Sequence, residues 1–116
     1  MEKVCVIGLG YVGLPTASLL AQKGFQVHGV DINPTIIETL KQGKLHIYEP
    51  DLEQLVKATI LEKSLTVGTV PQEADVFILA VPTPFYEEKE HQPNLSYVKA
   101  ATKAIAPYIE VGNLVI

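Results

Sequence analysis

The chain has 116 residues, enough for one domain with a real core. Hydrophobic residues make up 47% and charged residues 19%, the balance of a soluble globular protein, and no apolar run approaches membrane-spanning length. The net charge is −4 and the nine basic residues are all lysines, so the bidentate arginine reader of phosphates and bases is missing, which argues against nucleic acid as a partner.

The opening run Val4-Cys5-Val6-Ile7 reads as a strand, and Met1-Glu2-Lys3 before it carries no secretory pattern. Cys5, the single cysteine, falls inside this strand. It reads as a small buried hydrophobe and fits a reducing, cytoplasmic setting. Next comes Gly8-Leu9-Gly10-Tyr11-Val12-Gly13, a G-x-G-x-x-G turn opening a helix. Gly8 permits the tight turn, Gly10 lets a pyrophosphate approach the backbone, and Gly13 allows helix and strand to pack closely. The first N–H groups of such a helix have no partner within it and point at any anion placed there. The helix is expected from Tyr11 to Lys23, with Gly13, Ala17, Leu20 and Ala21 on one face and Gly24 ending it.

A second apolar run, 25–30, ends in Asp31, eighteen residues after Gly13. An acid at the end of the second strand accepts hydrogen bonds from adenosine ribose hydroxyls. It repels a 2′-phosphate, which together with the absent arginine favours NAD over NADP. Asn33 caps a helix with Pro34 at its first position, stripe Ile36, Ile37 and Leu40, and an end at Gly43. Ile32 and Asn33 are also placed to line the adenosine end of the site. Residues 44–49 form an irregular connection. Pro50 starts a further helix with Leu52, Leu55 and Val56 inward, and Leu65-Thr66-Val67 is a short strand near an edge. A brief turn or helical piece is expected over Gln72–Asp75.

Residues 76–81 are apolar at every position, as expected of a parallel strand covered on both faces. In the doubly wound order this strand lies beside the first, and the crevice past their carboxyl ends is where ligands bind. Val81 and Thr83, with Thr83 held extended between Pro82 and Pro84, therefore face the same crevice as Gly10. Residues 86–92 are a charged, solvated loop. Asn94 can cap a helix with stripe Val98, Ala101 and Ile105, closed by Pro107, and Leu114-Val115-Ile116 begins a fifth strand within which the chain stops. The expected fold is therefore an α/β, doubly wound Rossmann-type parallel sheet, truncated in its fifth strand, with residues 1–116 the NAD-binding fragment of a longer chain. His28, His46 and His91 lack ligand spacing, so no metal site is expected, and no nucleophile–base pair is available for catalysis.

Beyond the glycine motif, four further stretches stand in a recognisable order: Val30-Asp31-Ile32-Asn33, Glu49-Pro50-Asp51-Leu52, Ala80-Val81-Pro82-Thr83-Pro84 and Ser96-Tyr97-Val98. With them the sequence resembles the N-terminal domain of the UDP-glucose/GDP-mannose dehydrogenase family over essentially its whole length. The resemblance implies oxidation of a UDP-sugar C6 alcohol to the carboxylate with two NAD, by a cysteine and a lysine outside this chain. The parent is then expected to be a homodimer, and the fragment alone to be inactive. It implies NAD contacts at Tyr11, Val12, Asp31 and Thr83. His46-Ile47 and Pro84-Phe85 resemble the branch acting on UDP-N-acetyl-D-mannosamine, with UDP-glucose as the alternative substrate. An NAD-sensing regulatory module shares the glycine loop and acid but gives no reason for Pro82-Thr83-Pro84. A β-hydroxyacid dehydrogenase tends to have Met where this chain has Val12. An FAD domain fits less well with Asp31 and the short loops.

Overall fold

The computed structural model describes residues 2–47, 49, 51–82 and 95–116. Five parallel strands form one sheet in the order β3-β2-β1-β4-β5: β1 Lys3–Ile7, β2 Gln26–Val30, β3 Leu65–Gly68, β4 Val76–Leu79 and β5 Leu114–Val115. The order reverses between β1 and β4, as in a doubly wound sheet, and β3 lies at an edge as expected.

Parallel strands need crossovers, and the helices that supply them bury both faces. On one face α1 (Gly13–Gln22), α2 (Pro34–Lys41) and α3 (Leu52–Leu61) pack Leu14, Ala17, Ala21, Ile37, Leu40 and Val56 against Val4, Val6 and Val27. On the other, α4 (Ser96–Ile105) sets Ala101 and Ile105 against Cys5, Ile7, Val30 and Phe77. The alternation along β1 assigns Val4 and Val6 to the first face and Cys5 and Ile7 to the second, so β1 is the middle of the core. Ala106–Tyr108 adds one 3-10 turn after α4, with Pro107 inside it. No helix among the described residues is long and apolar enough to cross a membrane.

Several boundaries shift from the sequence expectation. The first helical bond of α1 runs from Leu14 N–H to Gly10 C=O, so Tyr11 and Val12 form the entering turn and regular helix starts at Gly13. At α2 the Asn33 side chain accepts the Thr35 N–H at 2.9 Å, as the Asn-Pro start predicted, and the helix ends at Lys41, ahead of Gly43. Regular α3 begins at Leu52 with Asp51 as its flanking residue; Pro50 lies outside the described residues. Leu52 and Val56 are buried and Leu55 half-buried.

Strand β4 stops at Leu79, short of Val81, because β1 has no partner left to offer: Ala80 N–H reaches Ile7 C=O at 2.8 Å and the chain then leaves the ladder. The stretch 72–75 has no helical piece. Its last residue, Asp75, is tied to the start of the central strand β1 by Asp75 N–H to Lys3 C=O and Lys3 N–H to the Asp75 carboxylate, both 2.8 Å. The charged loop 86–92, Asn94 and His91 lie outside the described residues.

Candidate functional site: the crevice between β1 and β4

The carboxyl ends of β1, β2 and β4 converge on the β1–α1 turn. Gly8 N–H donates to Val30 C=O at 2.7 Å, which hooks the turn onto the end of β2. Gly8 has φ +100°, and a Cβ there would lie 2.6 Å from the Ala80 carbonyl oxygen. A Cβ on Gly13 would lie 1.6 Å from the Gly8 carbonyl oxygen and 3.3 Å from the Ala80 Cβ. Turn, helix start and β4 are thus stacked at backbone distance, which only glycine allows at both positions. Gly10 differs: among the described residues a Cβ there would meet nothing within 4 Å. Packing among the described residues does not require its glycine.

The N-terminus of α1 has no side-chain cap and no acid in its first turn. Its partial positive charge, and amides without a partner among the described residues, can therefore receive an anion. Tyr11 and Val12 flank it with their side chains largely exposed.

Asp31 sits at the end of β2, half-buried. One carboxylate oxygen accepts the Leu9 N–H at 3.1 Å and the other the Asn33 N–H at 3.0 Å. Each oxygen keeps capacity for a further donor, such as a ribose hydroxyl. Beside it a cleft of about 220 Å³ opens between the β2 end and α4, walled by Gly8, Ile32, Val81, Pro82, Tyr97 and Ala100. Alanines at 100, 101 and 104 leave the room on the α4 side. Its lining is chiefly apolar with Asp31 at the margin, which suits a flat, weakly polar ring joined to a polyol.

His46, on the α2–α3 connection, places Nε2 within hydrogen-bond distance of the Leu9 carbonyl oxygen; Nδ1 of the same ring is buried, with no partner among the described residues. His28 is used elsewhere, bonded to Thr66 and Val70. Among the described residues no group of three or more His, Cys, Asp or Glu is placed to hold a metal.

Residues 2–116 match the UDP-glucose/GDP-mannose dehydrogenase family, NAD binding domain. The chain belongs to this family. The UDP-N-acetyl-D-mannosamine dehydrogenase of Campylobacter jejuni is 53% identical over 115 residues, 99% of this chain and 28% of that protein. The NDP-N-acetyl-D-galactosaminuronic acid dehydrogenase of Ralstonia nicotianae is 50% identical over 113 residues, 97% of this chain and 26% of that protein. A solved structure of the UDP-N-acetyl-mannosamine dehydrogenase of Staphylococcus aureus superposes with a TM-score of 0.95 at 39% identity, covering 98% of this chain and 27% of that one. The chain thus spans about a quarter of the length of the relatives it matches.

In this NAD-binding domain the structure brings Gly8, Gly10, Gly13, Tyr11, Val12, Asp31, Ile32 and Val81 to one edge of the sheet. Asn33 adjoins them, but its side chain is committed to capping α2. Thr83 lies outside the described residues. Tyr97, Ala100 and Ala104 wall the cleft, a role the core stripe of α4 does not announce; Tyr97 stands out in the sequence only within the stretch Ser96-Tyr97-Val98, and the two alanines only as small residues. His46 is marked in the sequence only by its lack of ligand spacing and by the His46-Ile47 resemblance; its contact with Leu9, 37 residues away, leaves no local pattern.

Proposed function

We propose that this chain supplies the NAD-binding domain of a longer nucleotide-sugar 6-dehydrogenase, which oxidises the C6 alcohol of a UDP-sugar to the uronic acid. The observation that carries it is the pairing of a bare Gly10 backbone and uncapped α1 N-terminus with Asp31 at the end of the neighbouring strand. In this reading the pyrophosphate lies on the α1 amides, with Tyr11 and Val12 at its flank. Asp31 takes the adenosine ribose hydroxyls. The adenine enters the cleft between Ile32 and Tyr97, Val81 lines the path toward the nicotinamide, and Thr83 is a candidate contact by sequence alone. When bound, NAD supplies the hydride acceptor, and this chain's residues bind and orient it.

The substrate we favour is UDP-N-acetyl-D-mannosamine, the sugar named for relatives at 53%, 49% and 48% identity; UDP-glucose is the alternative. A cytoplasmic homodimer is the expected form of the parent, with the sugar and the catalytic residues held outside this chain. Calorimetric titration of the 116-residue chain with NAD and with NADP tests the cofactor site. Saturable binding of NAD, at least tenfold tighter than NADP and with the difference narrowed in Asp31→Ala, is expected. Equal binding of both, or of neither, refutes the assignment.

A further inference from the structure

Leu9, between the first two glycines, is held on three sides. Its N–H donates to Asp31. Its side chain is fully buried and lies over Gly29, where a Cβ would come 2.9 Å from Leu9 Cδ2. Its carbonyl accepts from His46. A carbonyl cannot donate, so the proton in this last bond sits on His46 Nε2. The bond is partly buried, and Nδ1 on the far side of the ring is shut away from solvent, so water does not compete freely for the imidazole.

The carbonyl of Leu9 and the N–H of Gly10 belong to one planar trans peptide and point in opposite directions. Glycine at position 10 leaves that peptide sterically free to turn over, because no Cβ opposes the change in φ. Turning it over exchanges a donor for an acceptor on the ligand side, immediately before the amides of Tyr11 and Val12. An anion would then meet carbonyl lone pairs in place of an N–H. The preceding peptide does not share this freedom: Leu9 N–H is fixed by Asp31, and the Gly8 carbonyl abuts Gly13.

We propose that His46 is a positioning residue for the cofactor pyrophosphate, holding the Leu9–Gly10 peptide in the one orientation that presents an N–H to it. The inference rests on the reading of the β1–α1 turn as the NAD site. It gives the α2–α3 connection, whose described residues do not line the cleft described above, a role in phosphate binding.

The test compares His46→Phe, which keeps a ring but removes the donor, with His46→Gln, whose amide nitrogen can take the place of Nε2. Wild-type chain and both variants are titrated with NAD, with ADP-ribose and with adenosine, and their thermal midpoints are measured. One lost hydrogen bond predicts that H46F weakens NAD and ADP-ribose about 3–10-fold. Adenosine, which has no phosphate, should bind unchanged, and H46Q should recover most of the loss. Equal weakening of all three ligands, in step with a lowered midpoint, would show a merely structural role and overturn the proposal. So would unchanged NAD binding in H46F. Failure of the wild-type chain to bind NAD would instead overturn the cofactor assignment beneath it. If H46F does not fold, the nitrogen NMR signals of His46 in the wild-type chain decide: a proton on Nε2 that responds to ADP-ribose supports the proposal, and an Nδ1–H tautomer refutes it.

Discussion

Gly10 and Gly13 look alike in the motif, yet the structure predicts opposite consequences for Gly→Ala at the two positions. At Gly13 the added Cβ would lie 1.6 Å from the Gly8 carbonyl oxygen, where real contacts stay beyond 3.0 Å, so more than 1 Å of separation must be found. Neither side can yield cheaply. Gly13 begins α1, and Gly8 is fixed by its 2.7 Å bond to Val30 and its packing on Ala80. Overpacking of this kind costs about 1–3 kcal/mol, and the upper end applies because both partners are backbone. Alanine's better helix propensity returns at most about 1 kcal/mol. A net loss of about 2 kcal/mol corresponds to a fall in melting temperature of roughly 8 °C or more for a domain of this size. At Gly10 no described atom lies within 4 Å of a Cβ and φ is not positive, so Gly10→Ala should leave the melting temperature unchanged or slightly raised, by restricting the unfolded chain. Its cost should fall on the ligand, with NAD affinity reduced at least tenfold. Circular-dichroism melts paired with calorimetric titration measure both quantities. A Gly10→Ala chain that melts as low as Gly13→Ala, or that binds NAD like wild type, would refute the reasoning.

Two further predictions concern residues next to the turn. Asp31→Ala removes the acceptor of the Leu9 and Asn33 amides and should cost about 1–2 kcal/mol in urea unfolding even without cofactor, whereas Asp31→Asn, which keeps one carbonyl oxygen, should lose less. Cys5 is fully buried, and burial pushes its thiol above the ordinary value of 9.0, against a smaller lowering effect from the Gln72 backbone. It should react with a thiol reagent only as fast as the chain opens. Because the unfolded thiol ionises first, stability should fall as pH rises above about 9, and a Cys5→Ala chain should lose that part of the decline.

The parts of this fold written in short-range pattern were legible in the sequence. The four apolar runs became β1 to β4, the Asn33-Pro34 start holds as a capped helix, and the 3-2-1-4 order follows from a βαβ reading once Asp31 and the glycines are placed. What the sequence did not reveal depends on partners distant in the chain. Strand β4 ends early because β1 runs out at Ile7, a fact about pairing that the continuous apolar run 76–81 cannot express. Residues 72–75 form no helical piece, and Asp75 is instead bonded to Lys3 through both its backbone and its carboxylate. The cleft wall at Tyr97 and Ala100 looked like the ordinary outer face of an amphipathic helix, since an apolar residue facing a ligand and one facing the core look the same in sequence.

The same distinction explains how the site is built. Its contacts to a phosphate would come from backbone amides, which carry no sequence signature beyond the glycines that let them turn. Their orientation is imposed by side chains from later elements: Asp31 from the end of β2 and His46 from the α2–α3 connection, bonded to the two ends of one residue, Leu9. A loop clamped before the cofactor arrives spends little binding free energy on ordering. The clamp also joins two functions that are usually discussed separately. The carboxylate expected to receive the ribose hydroxyls is the one that fixes the peptide before the phosphate site, so a substitution that changes ribose recognition at Asp31 also loosens the Gly8–Leu9 peptide. Exchanging NAD for NADP preference in this domain should therefore require more than replacing the acid. A variant that removes Asp31 needs a new acceptor for the Leu9 N–H before a basic residue for the 2′-phosphate can act on an ordered turn.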